Sequence, residues 1–328
     1  MHPRIFAIIP VHNGIEHTLP TVRALSGLLH PQDRIVVVDD GSTDGTAQNL
    51  RQEHPEVTIL PGDGNLWWSG AINRGAEYAL REGADYVLLL NNDVCLHPQF
   101  LEELLLGAAE HPNALIASKI LSAEESWIVW SMGGRFDVRR GRLDMMACGQ
   151  FDDGRWEEPR FADWLPGMSV LVPMDLFRRG VWVDAHAFPQ YSGDSDFTLR
   201  ARQAGFDLVV WPRSRVYNKV KSSGLTSRLL LGLESFSLKL LIESLISIRS
   251  SAAFNTFGKL VLRHSPFYTW PITLGRFYGF YFLKCLQVWL KLPRLRRRAL
   301  LRDGEAPMGM PQRTLVPEDK PELISLDL

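Results

Sequence analysis

Arg34-Ile-Val-Val-Val-Asp-Asp-Gly-Ser-Thr-Asp-Gly45 decides the fold of this chain. Four β-branched apolar residues in a row break at once into two carboxylates and a Gly-Ser turn. A strand buried on both faces reads as such a run, and open α/β sheets meet their ligands at the carboxyl ends of strands. Leu88-Leu-Leu-Asn-Asn-Asp-Val94 repeats the pattern and offers Asn91, Asn92 and Asp93 at a second edge. Two polar edges point to a ligand that is polyhydroxylated, cationic, or a phosphate held through a metal.

Working outward, short apolar runs predict strands at 5–9, 34–38, 57–60, 86–90 and 207–211, with helices over 18–29, 46–53, 70–82 and 98–110. Alternation at this spacing implies right-handed βαβ units and a mostly parallel, Rossmann-like α/β sheet flanked by helices. Thr43 or Asp44 suits the N-cap of the second helix, because its side-chain oxygen accepts an orphan N–H. Residues 115–217 read as less regular and rich in tryptophan and glycine. From about 226 the chain turns leucine-rich and helical over 229–248, then aromatic over 267–292, then basic at Arg294–Arg298. The proline-rich, acidic stretch 304–328 reads as a disordered tail. The expected division is 1–222 catalytic (1–114 donor side, 115–222 acceptor side), 223–303 helical extension, and 304–328 tail.

A chain of 328 residues buries a full core, and a net charge of −1 excludes a general electrostatic bias toward nucleic acid. Cys95, Cys148 and Cys285 are far apart, so they build neither a zinc site nor a disulfide framework, which fits a reducing cytosol. The first strand begins almost at once, and no secretory leader is expected.

Four constellations carry chemistry. Asp39-Asp40-Gly41-Ser42 offers a carboxylate to a base imide or to sugar hydroxyls, or simply makes the turn. Asn92-Asp93 suits a hard divalent ion, Mg²⁺ or Mn²⁺, shared with a substrate diphosphate, since such sites need only one or two carboxylates. The loop 62–75, with Asn65, Trp67, Trp68 and Asn73, leads into a helix whose first N–H groups are expected to face an anion. Gly193-Asp-Ser-Asp196 puts Asp194 and Asp196 at a helix start, where the dipole favours ionised carboxylates and one of them would serve as a general base.

In chain order, Ile8-Ile-Pro-Val-His-Asn13, Val37-Val-Asp-Asp-Gly-Ser-Thr-Asp44, Asn65-Leu-Trp-Trp-Ser-Gly-Ala-Ile-Asn73, Asn91-Asn-Asp93, Gly167-Met-Ser-Val-Leu-Val-Pro173 and Gly193-Asp-Ser-Asp-Phe-Thr-Leu-Arg200 resemble the inverting family 2 glycosyltransferases of GT-A fold. Within that family the chain looks most like the rhamnosyltransferase-like enzymes of bacterial cell-envelope polysaccharides. The resemblance implies a donor nucleoside-diphosphate sugar, UDP- or dTDP-linked, and a glycan or lipid-linked acceptor. It places Pro10 and Asp40 on the base, Asn92 near the ribose, Asp93 on the divalent cation, Gly167 in the substrate region and Asp194 as base. Asn91 replaces the first Asp of the family's Asp-x-Asp motif, Gly193 replaces a glutamate before the base, and the segment Val216-Tyr-Asn218 stands where the resemblance implies a metal-binding histidine, with Asn218 able to ligate or to contact phosphate in its stead.

The stretch 267–298 reads as a surface-lying amphipathic element for peripheral membrane contact, or as a helical subdomain packed on the core or on a second subunit of a homodimer. Residues Pro271, Arg276 and Lys284 argue against a span. These readings put the chain in the cytoplasm, with the inner face of the cytoplasmic membrane as one place for it. The competing reading from another class is a catalytically silent partner subunit that binds a sugar nucleotide or glycan.

Overall fold

The computed structural model describes residues 2–137, 142–219, 224–230 and 236–290. The basic run 294–298 and the tail 304–328 lie outside the described residues. Strands β1 (Ile5–Val11), β2 (Arg34–Asp39), β3 (Thr58–Pro61) and β4 (Tyr86–Leu90) are parallel, in the spatial order β3-β2-β1-β4. The β-branched run of β2 alternates between two cores. Val36 and Val38 face one, with Ala71, Ile72 and Ala76 of α3 (Trp67–Arg81); Ile35 and Val37 face the other. That second core receives α1 (Ile15–Ser26), α2 (Thr46–Glu53) and α4 (Phe100–Glu110), so both faces of the sheet are covered. Each fully buried aliphatic side chain contributes about 1.5–3 kcal/mol.

The stretch 115–217, expected to be irregular, contains the other half of the sheet. There β6 (Ala114–Ser122), β11 (Ser169–Pro173) and β12 (Asp207–Asn218) extend the order to β10-β12-β6-β11-β4, with β10 at Arg160–Phe161. Only β11 of these three runs against β4, so the sheet stays mostly parallel. The fold thus matches the mixed, mostly parallel expectation. The pattern of β6 was hidden by Lys119, a cation in mid-strand. Its side chain is fully buried, and its ammonium bonds Asp152 at 2.9 Å and Glu157 at 2.8 Å, which makes burial tolerable. Short strands β5 (Val94–Leu96) and β7 (Val129–Ser131) pair with β12 and β6, and β8 (Gly134–Asp137) forms a separate hairpin with β9 (Arg142–Met145). Helices α5 (Met174–Arg178) and α6 (Gly193–Gln203) complete this half.

Two local expectations are corrected. The N-cap of α2 is Gly45, left-handed at φ 88°, not Thr43 or Asp44; Asp44 precedes it and accepts the Thr46 N–H at 3.0 Å. The single helix over 229–248 is two, α7 (Gly224–Leu230) and α8 (Leu238–Ile246), with Ser237 capping the second through Leu240 N–H. A π-helical turn leads into α9 (Lys259–His264), and α10 (Trp270–Trp289) follows. Pro271 opens α10 in its first turn, where a missing N–H costs nothing. Among the described residues no helix is long and apolar enough to cross a membrane.

Candidate active site

The carboxyl ends of β1, β2 and β4 open onto a cavity of about 1680 Å³. From the sheet come Pro10, Asp40, Asn92 and Asp93; the start of α3 adds Trp67 and Trp68; Gly167 and Asp194 close the opposite side. The structure therefore brings most of the sequence-predicted residues to one surface.

Asp40 is buried, and it orders the site. Its two carboxylate oxygens accept the N–H groups of Gly64 (2.8 Å) and Trp67 (2.9 Å), while its carbonyl oxygen is 2.7 Å from the His12 ring. The loop 62–67 is thereby stapled to the end of β2, and Trp67 is held at φ 55°, in the left-handed region. That staple overturns one expectation. The first N–H groups of α3 do not face an anion: Trp67 donates to Asp40, Trp68 to the Gln190 side chain, and Ser69 to the Pro189 carbonyl.

Three predicted residues do not line the cavity: Asn65, Asn73 and, on α6, Asp196. Asn65 is exposed in the turn, its N–H given to Asp63. Asn73 clamps the backbone of Val183 from both sides, donating to its carbonyl at 2.7 Å and accepting its N–H at 3.0 Å. An asparagine at helical spacing from a tryptophan pair gives no sign of that distant partner.

At the end of β4, Asn92 is fixed to α1 by its amide on Thr18 Oγ1 (3.0 Å), and Asn91 accepts a long bond from Trp68 Nε1 (3.4 Å). Asp93 is different. Its Oδ1 is buried with no hydrogen-bond partner, and burial pushes its carboxyl above the ordinary range against weaker opposing help from its own backbone, His17, Lys219 and Asn91. A buried carboxylate oxygen without a donor is costly unless something cationic meets it. Among the described residues no group of three or more His, Cys, Asp or Glu could hold a metal. The donor set is instead one carboxylate beside the asparagines, of which Asn218 also lines the cavity. Hard divalent ions that share a diphosphate accept such a sparse oxygen set, so the residues present fit one.

Across the cavity, Asp194 sits in the first turn of α6, after Ser192 at φ 65°. Its Oδ2 accepts Gly167 N–H at 3.0 Å, and its Oδ1 accepts Ser195 N–H at 2.7 Å. Burial raises its carboxyl above the ordinary value, and those donors only partly offset the effect. Gly167 has no room for a side chain, since a Cβ would collide with the Trp68 ring. Gly193 is equally constrained, because a Cβ would meet Ser69 Oγ and the Phe188 carbonyl. The glutamate expected before the base has no space in this fold.

Asp196 lies on the other side of α6 and does not line the cavity. It is fully buried against His264 (2.8 Å), Arg200 (2.8 Å) and Arg263 (3.0 Å). Burial opposes its ionisation, but those three partners outweigh it and hold the carboxyl below the usual range.

Sequence reasoning missed the far wall. Arg249 lies over the Trp67 ring at 5.4 Å, and α10 contributes Arg276, Phe280 and Lys284. Phe280 at four-residue spacing from both cations was the available sign.

Several known proteins are similar to this chain. The family model "Glycosyl transferase family 2" matches residues 6–163. An N-acetylglucosaminyl-diphospho-decaprenol L-rhamnosyltransferase of Mycobacterium tuberculosis is 28% identical over 209 residues, 58% of this chain and 68% of that protein. A hyaluronan synthase of Streptococcus pyogenes is 29% identical over 191 residues, 54% of this chain and 41% of its own length. Among solved structures, a mannosyltransferase from Pyrobaculum calidifontis in complex with GDP-Man and Mn²⁺ superposes with a TM-score of 0.55 at 15% identity, covering 88% of this chain and 74% of that one. GalNAc-T7 with UDP, GalNAc and Mn²⁺ gives a TM-score of 0.55 at 14% identity, over 67% of this chain and 44% of that one.

Proposed function

This chain belongs to glycosyltransferase family 2 and transfers sugar from a nucleotide sugar, and from that premise we propose an inverting, single-step transfer with Asp194 as base. One observation carries the reading: Asp93, with an orphaned buried oxygen, and Asp194, with a raised carboxyl, line one cavity. The donor is a UDP- or dTDP-linked sugar, its base beside Pro10 and Asp40 and its ribose beside Asn92. The acceptor is a hydroxyl of a glycan or lipid-linked saccharide in cell-envelope synthesis. Residues 1–222 form the catalytic domain and 223–303 an extension.

The acceptor oxygen attacks the anomeric carbon, the bond from that carbon to the diphosphate breaks, and the acceptor proton passes to Asp194. Gly167 and Ser195 N–H groups aim the carboxylate, while partial burial raises its affinity for the proton. A Mg²⁺ or Mn²⁺ ion held at Asp93, with Asn91 and Asn218 at hand, supplies charge neutralisation for the leaving diphosphate. Trp67 and Trp68 wall the pocket.

A thermal-shift series with UDP, dTDP, GDP and CMP, each with and without Mn²⁺, tests the donor assignment. A ligand that binds only the native state raises Tm. The expected result is a Mn²⁺-dependent rise with UDP or dTDP, abolished in Asp93→Asn. No rise with any nucleotide overturns the proposal. Negligible turnover in the native protein equal to that of Asp194→Asn, with nucleotide binding intact, favours a silent binding subunit instead.

A further inference from the structure

We infer that this chain docks on an anionic lipid surface through its carboxyl-terminal extension, the outer row of α10 resting among the headgroups and the cations of 291–302 meeting their negative charge. This surface lies outside the sugar-transfer site, and docking does not depend on which donor is used.

Charge is divided unevenly along this chain. From Ser244 to Arg302 it carries eleven Lys and Arg residues and not one Asp or Glu, so the remainder holds 25 cations against 37 carboxylates. Segregation of that kind suits a segment to a polyanion or an anionic surface. Some of these cations are committed within the protein. Arg263 pairs with Asp184 (2.8 Å) and Asp196 (3.0 Å), Lys259 donates to the Ala187 carbonyl (3.0 Å), and Arg249 lies over the Trp67 ring. Six of the eleven, however, fall within residues 291–302, immediately after Leu290 at the end of α10. Clusters of about four to eight cations beside an amphipathic helix are what anionic headgroups attract.

The apolar half of the match is on α10 itself. Its buried side, with Thr273, Tyr278, Tyr281 and Cys285, leaves Ile272 (63%), Phe282, Leu286 and Trp289 (58%) exposed. Positions 272, 275, 279, 282, 286 and 289 are spaced by three and four, so they form one row, with Gly275 and Gly279 between the large side chains. Just ahead of the helix stand Phe267 (74%) and Tyr268 (68%). A monomer seldom exposes so continuous an apolar patch without an occupant. A helix of this kind, flanked by cations and too polar to cross a membrane, lies in the plane of the interface. The cavity-lining row, Arg276, Phe280, Lys284 and Gln287, is about a third of the way round α10, so the docked helix still walls the cavity. Other occupants fit less well. A second copy paired isologously would set the same acid-free cationic stretch against itself. A nucleic acid would use the cations and leave Ile272 and Leu286 in water.

Flotation of the full chain with vesicles of phosphatidylcholine alone, or mixed with phosphatidylglycerol, tests the docking. The native protein should bind the mixed vesicles about a hundredfold tighter than phosphatidylcholine, an advantage that shrinks as salt rises. Arg296→Gln/Arg297→Gln/Arg298→Gln should remove most of that advantage, since each cation near such a surface contributes about fivefold. Ile272→Ser/Leu286→Ser should weaken binding to both vesicles by about tenfold, through lost apolar burial. The lipid and salt dependence of the native protein decides the matter even where a variant fails to fold. Equal binding to both vesicles, native affinity in either folded variant, or no binding at all overturns the inference. So does a lipid-free dimer that Ile272→Ser/Leu286→Ser dissociates while vesicles stay unbound, which gives the face to a second copy. Nucleotide thermal shifts on the same samples report the donor reading separately.

Discussion

Two carboxylates two residues apart on α6 have opposite fates. Asp194 faces the cavity, its partners are backbone N–H groups and a serine, and burial raises its proton affinity. Asp196 faces α9, its partners are two guanidiniums and an imidazole, and they keep it ionised. Backbone N–H groups also lower a carboxylate's basicity, but at Asp194 they only partly offset burial, whereas the partners of Asp196 outweigh it. A base must take a proton and a structural anion must not, and the two sides of this helix turn offer surroundings suited to each. The lesson extends to Asp40 and Asp93: the first has both oxygens filled by loop N–H groups and shapes the site, the second keeps an oxygen vacant and can bind something in it.

The largest expected effect comes from removing the basic member. Asp194→Asn should lower kcat by about 10²–10⁴-fold, the usual contribution of a positioned base, with nucleotide-induced thermal shifts retained. Its Tm should change little, because relief of a carboxyl that resists ionisation is set against an amide NH2 that must face either the Gly167 or the Ser195 N–H. A loss of less than tenfold would remove the assignment. Asp196→Asn should do the reverse. It leaves Arg200, Arg263 and His264 without their shared anion and should cost about 2–3 kcal/mol of stability in denaturant melts; the arginines keep part of their water, so the effect lies below that of a wholly buried pair. Its kcat, measured on folded protein, should change little.

Gly193→Ala should cost about 1–3 kcal/mol, because the added methyl meets Ser69 Oγ and the Phe188 carbonyl and must push the turn that carries Asp194. Wild-type stability and activity in that variant would show the turn to be slack. The subtlest contrast is in pH. The rate should fall toward acid with a midpoint above 3.8, as the raised carboxyl of Asp194 becomes protonated, and Asp196→Asn should leave that midpoint in place. Stability runs the other way: Asp196 is lowered when folded, so its contribution is present above 3.8 and is lost as pH falls through its lower folded value. The ionisation of Asp194 is instead penalised as pH rises through its raised folded value.

Much of the fold was legible where signal is local. The runs ending at Asp39 and Leu90 announced both strands and the sheet edge, and β4 falls on the expected residues 86–90. β6 was not legible, since Lys119 breaks the apolar pattern and its neutralising partners Asp152 and Glu157 are more than thirty residues away. Asn65 and Asn73 were drawn into the expected site by their neighbours, and the structure gives them a turn and a clamp on Val183. In the other direction, the anion-facing helix start was a sound expectation for an isolated helix. It fails here because Asp40, Gln190 and Pro189 arrive from elsewhere to take those N–H groups.

By itself the sequence determined the alternating α/β architecture, the two polar strand ends, and the presence of paired carboxylates at the start of α6. These follow from contiguous residues, whose burial and turn preferences are written side by side in the chain. Only the tertiary structure decided which carboxylate faces the cavity. Residues two apart on a helix point about 200° from each other, so Asp194 and Asp196 must look in nearly opposite directions. What each then meets, Gly167 on one side and Arg263 with His264 on the other, is brought there by parts of the chain far away in sequence.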